Sequence, residues 1–186
     1  MALEEFAARG YYEASLNRVI EAAGISKGSM YYYFDGKEDL YVHVTRGAIA
    51  QLFARVGVAP DLEAADADSF WSLVADYYLQ LMRALAAWPQ LAALLRGWTA
   101  ASRNPAVQQA QGDLERASLP WIEQALVTGQ RVGAVRTDVP ASLLIAVALG
   151  MGEAMDLWLM ATQPNDDDLP GLSSALVDMI RRAVGR

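Results

Sequence analysis

The chain has 186 residues, of which 54% are apolar and 20% are charged, and it contains one histidine and no cysteine. This composition excludes a disordered chain, disulfides and thiolate metal sites, and the single histidine argues against a histidine metal cluster or a Ser-His triad. We therefore expect no metal, no cofactor and no catalytic residues. The net charge of -7 argues against indiscriminate adhesion to nucleic acid.

The stretch from Ser15 to Phe34 predicts two short helices folded across a tight turn. Ser15 is a good N-cap for the first helix, and Gly24 ends it because glycine tolerates the left-handed C′ position. Ser26 then caps a second helix, in which Met30 and Phe34 lie four residues apart and turn inward together.

The outward residues of the second helix have the chemistry of a DNA-reading surface. Lysine and tyrosine reach phosphate oxygens, serine bonds a base edge or the backbone, and glycine allows a close approach. These residues are Lys27, Gly28, Ser29, Tyr31, Tyr32 and Tyr33. A second helix that enters the major groove defines the helix-turn-helix geometry. The alternative is an ordinary helical hairpin with half-buried tyrosines.

The string AAGISKGSMYYYFDGKEDLY resembles the signature of the tetracycline-repressor (TetR) family of bacterial transcription regulators. The resemblance runs from about Leu3 to Leu52. It implies an all-α fold with a three-helix helix-turn-helix head over residues 1–46 and a helical effector-binding and dimerisation body over 47–186. Relative to that family, the first helix is shortened and its basic arm is missing.

Helical periodicity continues through the rest of the chain, and no segment alternates like a strand. After a helix from Lys37 to about Val56, a break at Gly57–Asp68 contains Pro60. Further helices follow, and their predicted ranges are 69–88, 90–102, 105–129 with a possible kink at Pro120, 141–160 and a last one around Leu172–Ala183. The segment 141–160 is apolar nearly all round, but Glu153 and Asp156 argue against a membrane span.

The last two helices carry the surfaces that a homodimer would use. In the family that the chain resembles, these helices pair with their symmetry mates. One stripe of the 141–160 segment and one side of the last helix form this predicted interface, namely Gly150, Ala154, Leu157, Ala161, Leu172, Leu176, Met179 and Ile180. The alternative is that both helices pack inside one subunit.

Large adaptable side chains of the body are candidates for an effector pocket. They are Trp71, Tyr77, Tyr78, Met82, Trp98, Trp121, Met151, Met155 and Trp158. Such residues line apolar cavities, although each of them also fits an ordinary core. A pocket lined by these residues would bind a small hydrophobic or aromatic effector. Asp76, Glu153 or Asp156 could supply a counter-charge for a cationic one.

The resemblance also assigns DNA contacts residue by residue. It places Ser15 and Asn17 at backbone or base-edge contacts, Lys27 to Ser29 and Tyr31 to Tyr33 in the groove, and Lys37 at a phosphate. It implies a cytoplasmic, nucleoid-associated repressor that binds a palindromic double-stranded operator as a homodimer and is released by its effector. The rival is a helical adaptor that binds a protein through the tyrosine face.

Overall fold

A computed structural model of the chain describes the backbone of residues 1–57 and 63–186, and their side chains except at 99 and 114–119. Within these residues the all-α prediction is confirmed: nine α-helices and one short 3₁₀ helix, Asp166–Asp168, are present, and no strand is. The helices are α1 Ala2–Glu13, α2 Leu16–Ala23, α3 Lys27–Tyr33, α4 Lys37–Val56, α5 Ala67–Ala86, α6 Pro89–Ala100, α7 Pro105–Arg131, α8 Ala141–Thr162 and α9 Leu169–Val184. Residues 58–62 of the predicted Gly57–Asp68 break, with Pro60, lie outside the described residues.

Two helices differ from their predictions, one in where it begins and the other in being continuous. Helix α5 begins two residues before Ser69 because Asp66 is its capping residue: the Asp66 carboxylate accepts from the Ser69 amide at 2.8 Å, and the Ser69 hydroxyl accepts from the Asp66 amide at 3.1 Å. This reciprocal pair is a capping box. Helix α7 runs through Pro120 as one element.

Packing divides the chain into two units, Met1–Ala54 with Ala87–Glu115, and Arg55–Ala86 with Arg116–Arg186. This division groups α6 and the first part of α7 with the N-terminal helices. The predicted boundary after residue 46 instead assigns both to the body. Close packing of α1 and α6 accounts for this grouping, because a Cβ on Gly97 would lie 3.3 Å from the Tyr41 hydroxyl and 3.9 Å from the Gly10 Cα.

An aromatic cluster forms the core of the first unit. The ring of Tyr41 is fully buried and lies 4.9 Å from Phe6, 5.1 Å from Tyr11 and 5.9 Å from Trp98, measured between centroids. These separations lie in the range that aromatic pairs prefer. Trp98, predicted for the effector pocket, is therefore part of this core instead.

The core of the second unit is built by α5, α8 and α9. Phe70 and Trp71 of α5 are buried with Leu144 of α8 and Val177 of α9. The Ser173 hydroxyl of α9 donates to the Ala75 carbonyl of α5 at 3.0 Å, so the two helices are also joined by a hydrogen bond.

Helix α8 is long and apolar enough to cross a membrane by length and composition alone. A single helix of this kind is weak support for a membrane span, and α8 carries Glu153 and the hydrogen-bonded Asp156. Much of its apolar surface is exposed in one chain, with Leu143 at 51% and Trp158 at 47%. An exposed apolar face on a helix is typical of an interaction surface.

Candidate nucleic-acid interface and cavity

Helices α2 and α3 meet at a tight corner that local residues define. Gly24 has φ +65°, and its amide bonds the carbonyls of Ile20 and Glu21, which closes the end of α2. The Ser26 hydroxyl then caps α3 by accepting from the Ser29 amide at 3.0 Å. The sequence predicts both features, because glycine and serine act through their own backbone neighbourhood.

The two sides of α3 differ sharply in exposure. Met30 is 3% exposed, and the Phe34 ring, just past the helix, lies 5.3 Å from the exposed His43 ring. The opposite side presents Tyr31, Tyr32 and Tyr33 at 57%, 82% and 73% exposure, and the rings of the last two are 4.9 Å apart. Lys27, Gly28 and Ser29 are also exposed. The six residues therefore form one accessible surface, which we call the α3 face.

Two of the predicted DNA contacts, Ser29 and Ser15, already make hydrogen bonds within the protein. A third, Asn17, is exposed outside the α3 face. The Ser29 hydroxyl lies 2.9 Å from that of Ser26. Ser15 stands at the N-cap position of α2, but its side chain makes no capping bond; its amide instead donates to the Glu5 carboxylate at 2.9 Å. This bond and the Arg18 guanidinium lower the pKa of Glu5. Asn17 is exposed in the first turn of α2.

The Lys37 ammonium, predicted to contact a phosphate, already has partners within the protein. Its ammonium donates to the carbonyls of Tyr12 and Ala14 at 2.8 and 3.2 Å and lies 5.0 Å from the Tyr11 ring centroid. These carbonyls lie at the end of α1, beyond the interruption of the helix at Gly10. A phosphate contact by Lys37 stays a prediction, and it would require the amine to share or leave these carbonyls.

A polar network that the sequence analysis missed joins α1, α4 and the start of α7. The side-chain amide of Asn104 donates to the Glu38 carboxylate at 2.8 Å and to the Tyr11 hydroxyl at 3.1 Å. The Tyr11 hydroxyl donates to the same Glu38 oxygen at 3.1 Å. Burial and the Glu38 bond raise the pKa of Tyr11 to about 12. The residues are far apart in sequence, so periodicity contains no signal of this network.

Replacing Asn104 with alanine should destabilise the protein by about 1–2 kcal/mol, because the Oδ1 atom of the Asn104 side chain also caps α7 by accepting from the backbone amides of Ala106 and Val107. Urea unfolding followed by circular dichroism measures this. Asn165→Ala, at an exposed position, is the control and should change stability by less than about 0.5 kcal/mol. Equal losses in the two variants would show that neither the network nor the α7 cap stabilises the protein.

A cavity of about 200 Å³ lies inside the second unit. Helices α5, α7, α8 and α9 and the loop after α7 supply its walls, and the lining residues are Phe70, Trp71, Val74, Tyr77, Trp121, Ile122, Ala125, Leu126, Val135, Leu144, Ile145, Ala148, Leu149, Ile180 and Val184. None of these described lining residues is charged. The rings of Tyr77 and Trp121 are 6.0 Å apart, and burial raises the pKa of Tyr77.

Three of the nine predicted pocket residues line this cavity, namely Trp71, Tyr77 and Trp121. The other six lie elsewhere. Met82 is buried with Leu159 and Leu169, with Tyr78 packed against this separate cluster. Met155 is buried and Met151 half-buried outside the lining, Trp158 is largely exposed, and Trp98 belongs to the first unit. Most of the lining is aliphatic, which explains why aromatic and methionine residues alone did not identify it.

The acids considered as counter-charges also lie outside the cavity lining. Asp156 accepts a hydrogen bond from the Tyr78 hydroxyl at 3.0 Å, while Asp76 and Glu153 are exposed. Burial raises the pKa of Asp156 to about 6; the Tyr78 bond acts against this rise and Glu153 adds to it. Burial and the Asp156 charge also raise the pKa of Tyr78. The pair is thus a structural contact between α5 and α8.

The predicted dimer residues divide between an open stripe and the interior. Gly150, Ala154 and Ala161 are exposed on α8, with Leu157 half-buried between them. On α9 Met179 is exposed, whereas Leu172, Leu176 and Ile180 are half-buried. Leu172 and Leu176 pack near Met82, and Ile180 lines the cavity. The open stripe of α8 therefore has no cover within the described part of one chain.

Two short helices joined at Gly24, with an exposed second helix, define a helix-turn-helix protein. Residues 1–44 match the family model described as bacterial regulatory proteins, tetR family. This match confirms the predicted resemblance to the tetR family over the helix-turn-helix region.

Relatives and solved structures match nearly the whole chain. The fatty acid metabolism regulator protein of Bacillus subtilis is 23% identical over 181 residues, which are 96% of this chain and 89% of that protein. The HTH-type transcriptional repressor Rv1474c of Mycobacterium tuberculosis is 26% identical, with 97% and 87% covered. The crystal structure of FadR from B. subtilis in complex with stearoyl-CoA gives a TM-score of 0.76 at 22% identity, with 98% and 95% covered, and it establishes the shared fold.

Proposed function

We propose that the protein is a ligand-responsive repressor that binds a palindromic operator as a homodimer and is released by a small apolar effector. The α3 face is the observation that carries this proposal, because its lysine, serine and three tyrosines are exposed on the second helix of a helix-turn-helix. Ser15, Asn17 and Lys37 are the proposed contacts beside it. The regulator would work in the cytoplasm, at the nucleoid when bound.

A homodimer is supported by the open stripe of α8. Its members recur at helical spacing, and Leu143 extends the stripe toward the start of the helix. Small residues at three of these positions allow two helices to approach closely. A second copy would cover the stripe with its own, because twofold symmetry pairs the same surface on both subunits. Two heads related in this way read half-sites roughly 34–36 Å apart.

An apolar effector is supported by the cavity in the second unit, whose described lining has no charge. A solved structure of similar fold contains stearoyl-CoA, so at least one protein of this fold holds a ligand with an apolar part. Release requires only that the effector prefer the conformation that does not fit the operator, by about 1–3 kcal/mol of coupling. Repression rather than activation is supported by the M. tuberculosis relative, which is named a repressor.

Fluorescence anisotropy with a labelled fragment from the DNA that flanks the gene tests this function. Saturable binding with dimer stoichiometry that survives random competitor is the expected result. If random DNA at the same concentration as the labelled fragment abolishes binding at every salt concentration, operator recognition is contradicted. The helical adaptor would then be favoured.

Within the α3 face we expect Lys27 and Ser29 to contribute differently. Lys27→Ala should weaken binding to operator and random DNA alike and lower the salt slope by about one, because a lysine neutralises one phosphate. Ser29→Ala should lower discrimination between operator variants at constant salt slope. Titrations at four salt concentrations separate the two effects. The same loss on both DNAs for both variants would contradict this division.

A further inference from the structure

We propose that the cavity of the second unit takes a compact, uncharged ring compound of about one aromatic or alicyclic ring system, and not a long acyl chain. This inference rests on the proposed function, because it names the chemical class of the effector. Charge, volume and the shape of the lining support it separately.

The charge argument follows from the lining. Among its described residues the polar side-chain groups are the Tyr77 hydroxyl and the indole N–H groups of Trp71 and Trp121, and none carries a charge. Asp156 is not in the lining and already accepts from Tyr78. An ionised ligand group placed in the cavity would lose its water without gaining a counter-ion, which costs far more than burying a neutral group. The cavity therefore selects against ions.

The volume argument sets an upper size. A dry apolar cavity of about 150 Å³ is known to hold benzene, with six carbons, so about 200 Å³ corresponds to about eight carbons. An 18-carbon acyl chain would need more than twice this space. The part of a ligand that the cavity encloses is therefore about one ring with a small substituent, and the exposed lining residues Trp121 and Leu149 mark its opening to solvent.

Gly129 of α7 helps to keep this volume open. A Cβ at this position would lie 2.6 Å from Cγ2 of Val135 and 2.9 Å from Cζ of Phe70, which both line the cavity. The missing side chain lets these two residues lie against the α7 backbone. The Tyr77 and Trp121 rings, 6.0 Å apart, also line this space and supply aromatic surface to it.

Isothermal titration calorimetry with matched probes tests the proposal on the unaltered protein. Benzyl alcohol, benzoate and benzylammonium share one ring and differ in charge, and stearoyl-CoA supplies the long-chain comparison. We expect saturable binding of benzyl alcohol, at least tenfold weaker binding of both ions, and no displacement of benzyl alcohol by stearoyl-CoA. Equal affinity for the three ring probes, or displacement by stearoyl-CoA, would overturn the proposal.

A pair of leucine substitutions on α7 locates the site. Ala125 lines the cavity, whereas its neighbour Gln124 is exposed outside the lining. Ala125→Leu should weaken benzyl alcohol at least tenfold and Gln124→Leu less than twofold, with circular dichroism confirming that both fold. Equal effects would place the binding elsewhere and refute this site. Operator binding without any probe, measured on the same preparation, tests the proposed function independently of the effector class.

Discussion

If the proposed homodimer forms through the α8 stripe, replacing Ala154 with glutamate is expected to convert it to monomers and to weaken operator binding on the order of 10²-fold. Ala154 is exposed in the middle of the α8 stripe, so the variant folds as one chain. In the proposed dimer each glutamate would be buried within the apolar α8 stripe, and removing an unpaired charge from water is costly. A monomer then loses the avidity of two linked heads, which is typically worth 10² to 10⁴ in affinity.

Light scattering coupled to size exclusion measures the assembly, and anisotropy on a full palindrome and on a half-site measures the affinity. Ser72→Glu is the matched control, because Ser72 is exposed on α5, outside the stripe. The control should remain dimeric and bind the palindrome normally. A dimeric Ala154→Glu protein would refute the α8 interface, and a monomeric one with unchanged operator affinity would refute the requirement for two heads.

The features that the sequence predicts well are those that neighbouring residues determine. Gly24 ends α2 and Ser26 caps α3 through bonds within five residues, and the helix period alone separates Met30 from the exposed tyrosines. These interactions need no knowledge of the tertiary structure. The same is true of the all-α class, which follows from periodicity along the whole chain.

The features that the sequence did not predict depend on which helix faces meet. Trp98 and Tyr78 have the composition of pocket residues, yet one packs on Tyr41 and the other binds Asp156. Lys37 has the position of a phosphate contact, but the free carbonyls at the end of α1 lie within its reach. Hydrophobicity identifies residues that are buried somewhere, and it contains no information on whether their partners are a core, a cavity or a second chain.

The Asp156 carboxyl should make the protein less stable as the pH rises from about 4 to about 6. Burial raises its pKa from 3.8 to about 6 in the folded chain. Between these values the unfolded chain releases the proton while the folded chain keeps it, so the unfolded state gains relative stability. Below this window both states hold the proton, and above it the loss is complete. The loss should be about 1–3 kcal/mol, at the lower end if solvent reaches the partly exposed side chain.

Asp156→Asn tests this sign, because the amide oxygen still accepts from the Tyr78 hydroxyl but the side chain no longer titrates. We expect the variant to melt several degrees above the unaltered protein at pH 7.5 and at nearly the same temperature at pH 4, with protein concentration fixed so that assembly contributes equally. The control is Asp76→Asn, at an exposed position of α5, which should melt at the same temperature as the unaltered protein at pH 7.5. If Asp156→Asn melts at or below the unaltered protein at pH 7.5, then the buried carboxylate is stabilised by contacts and the predicted sign is wrong.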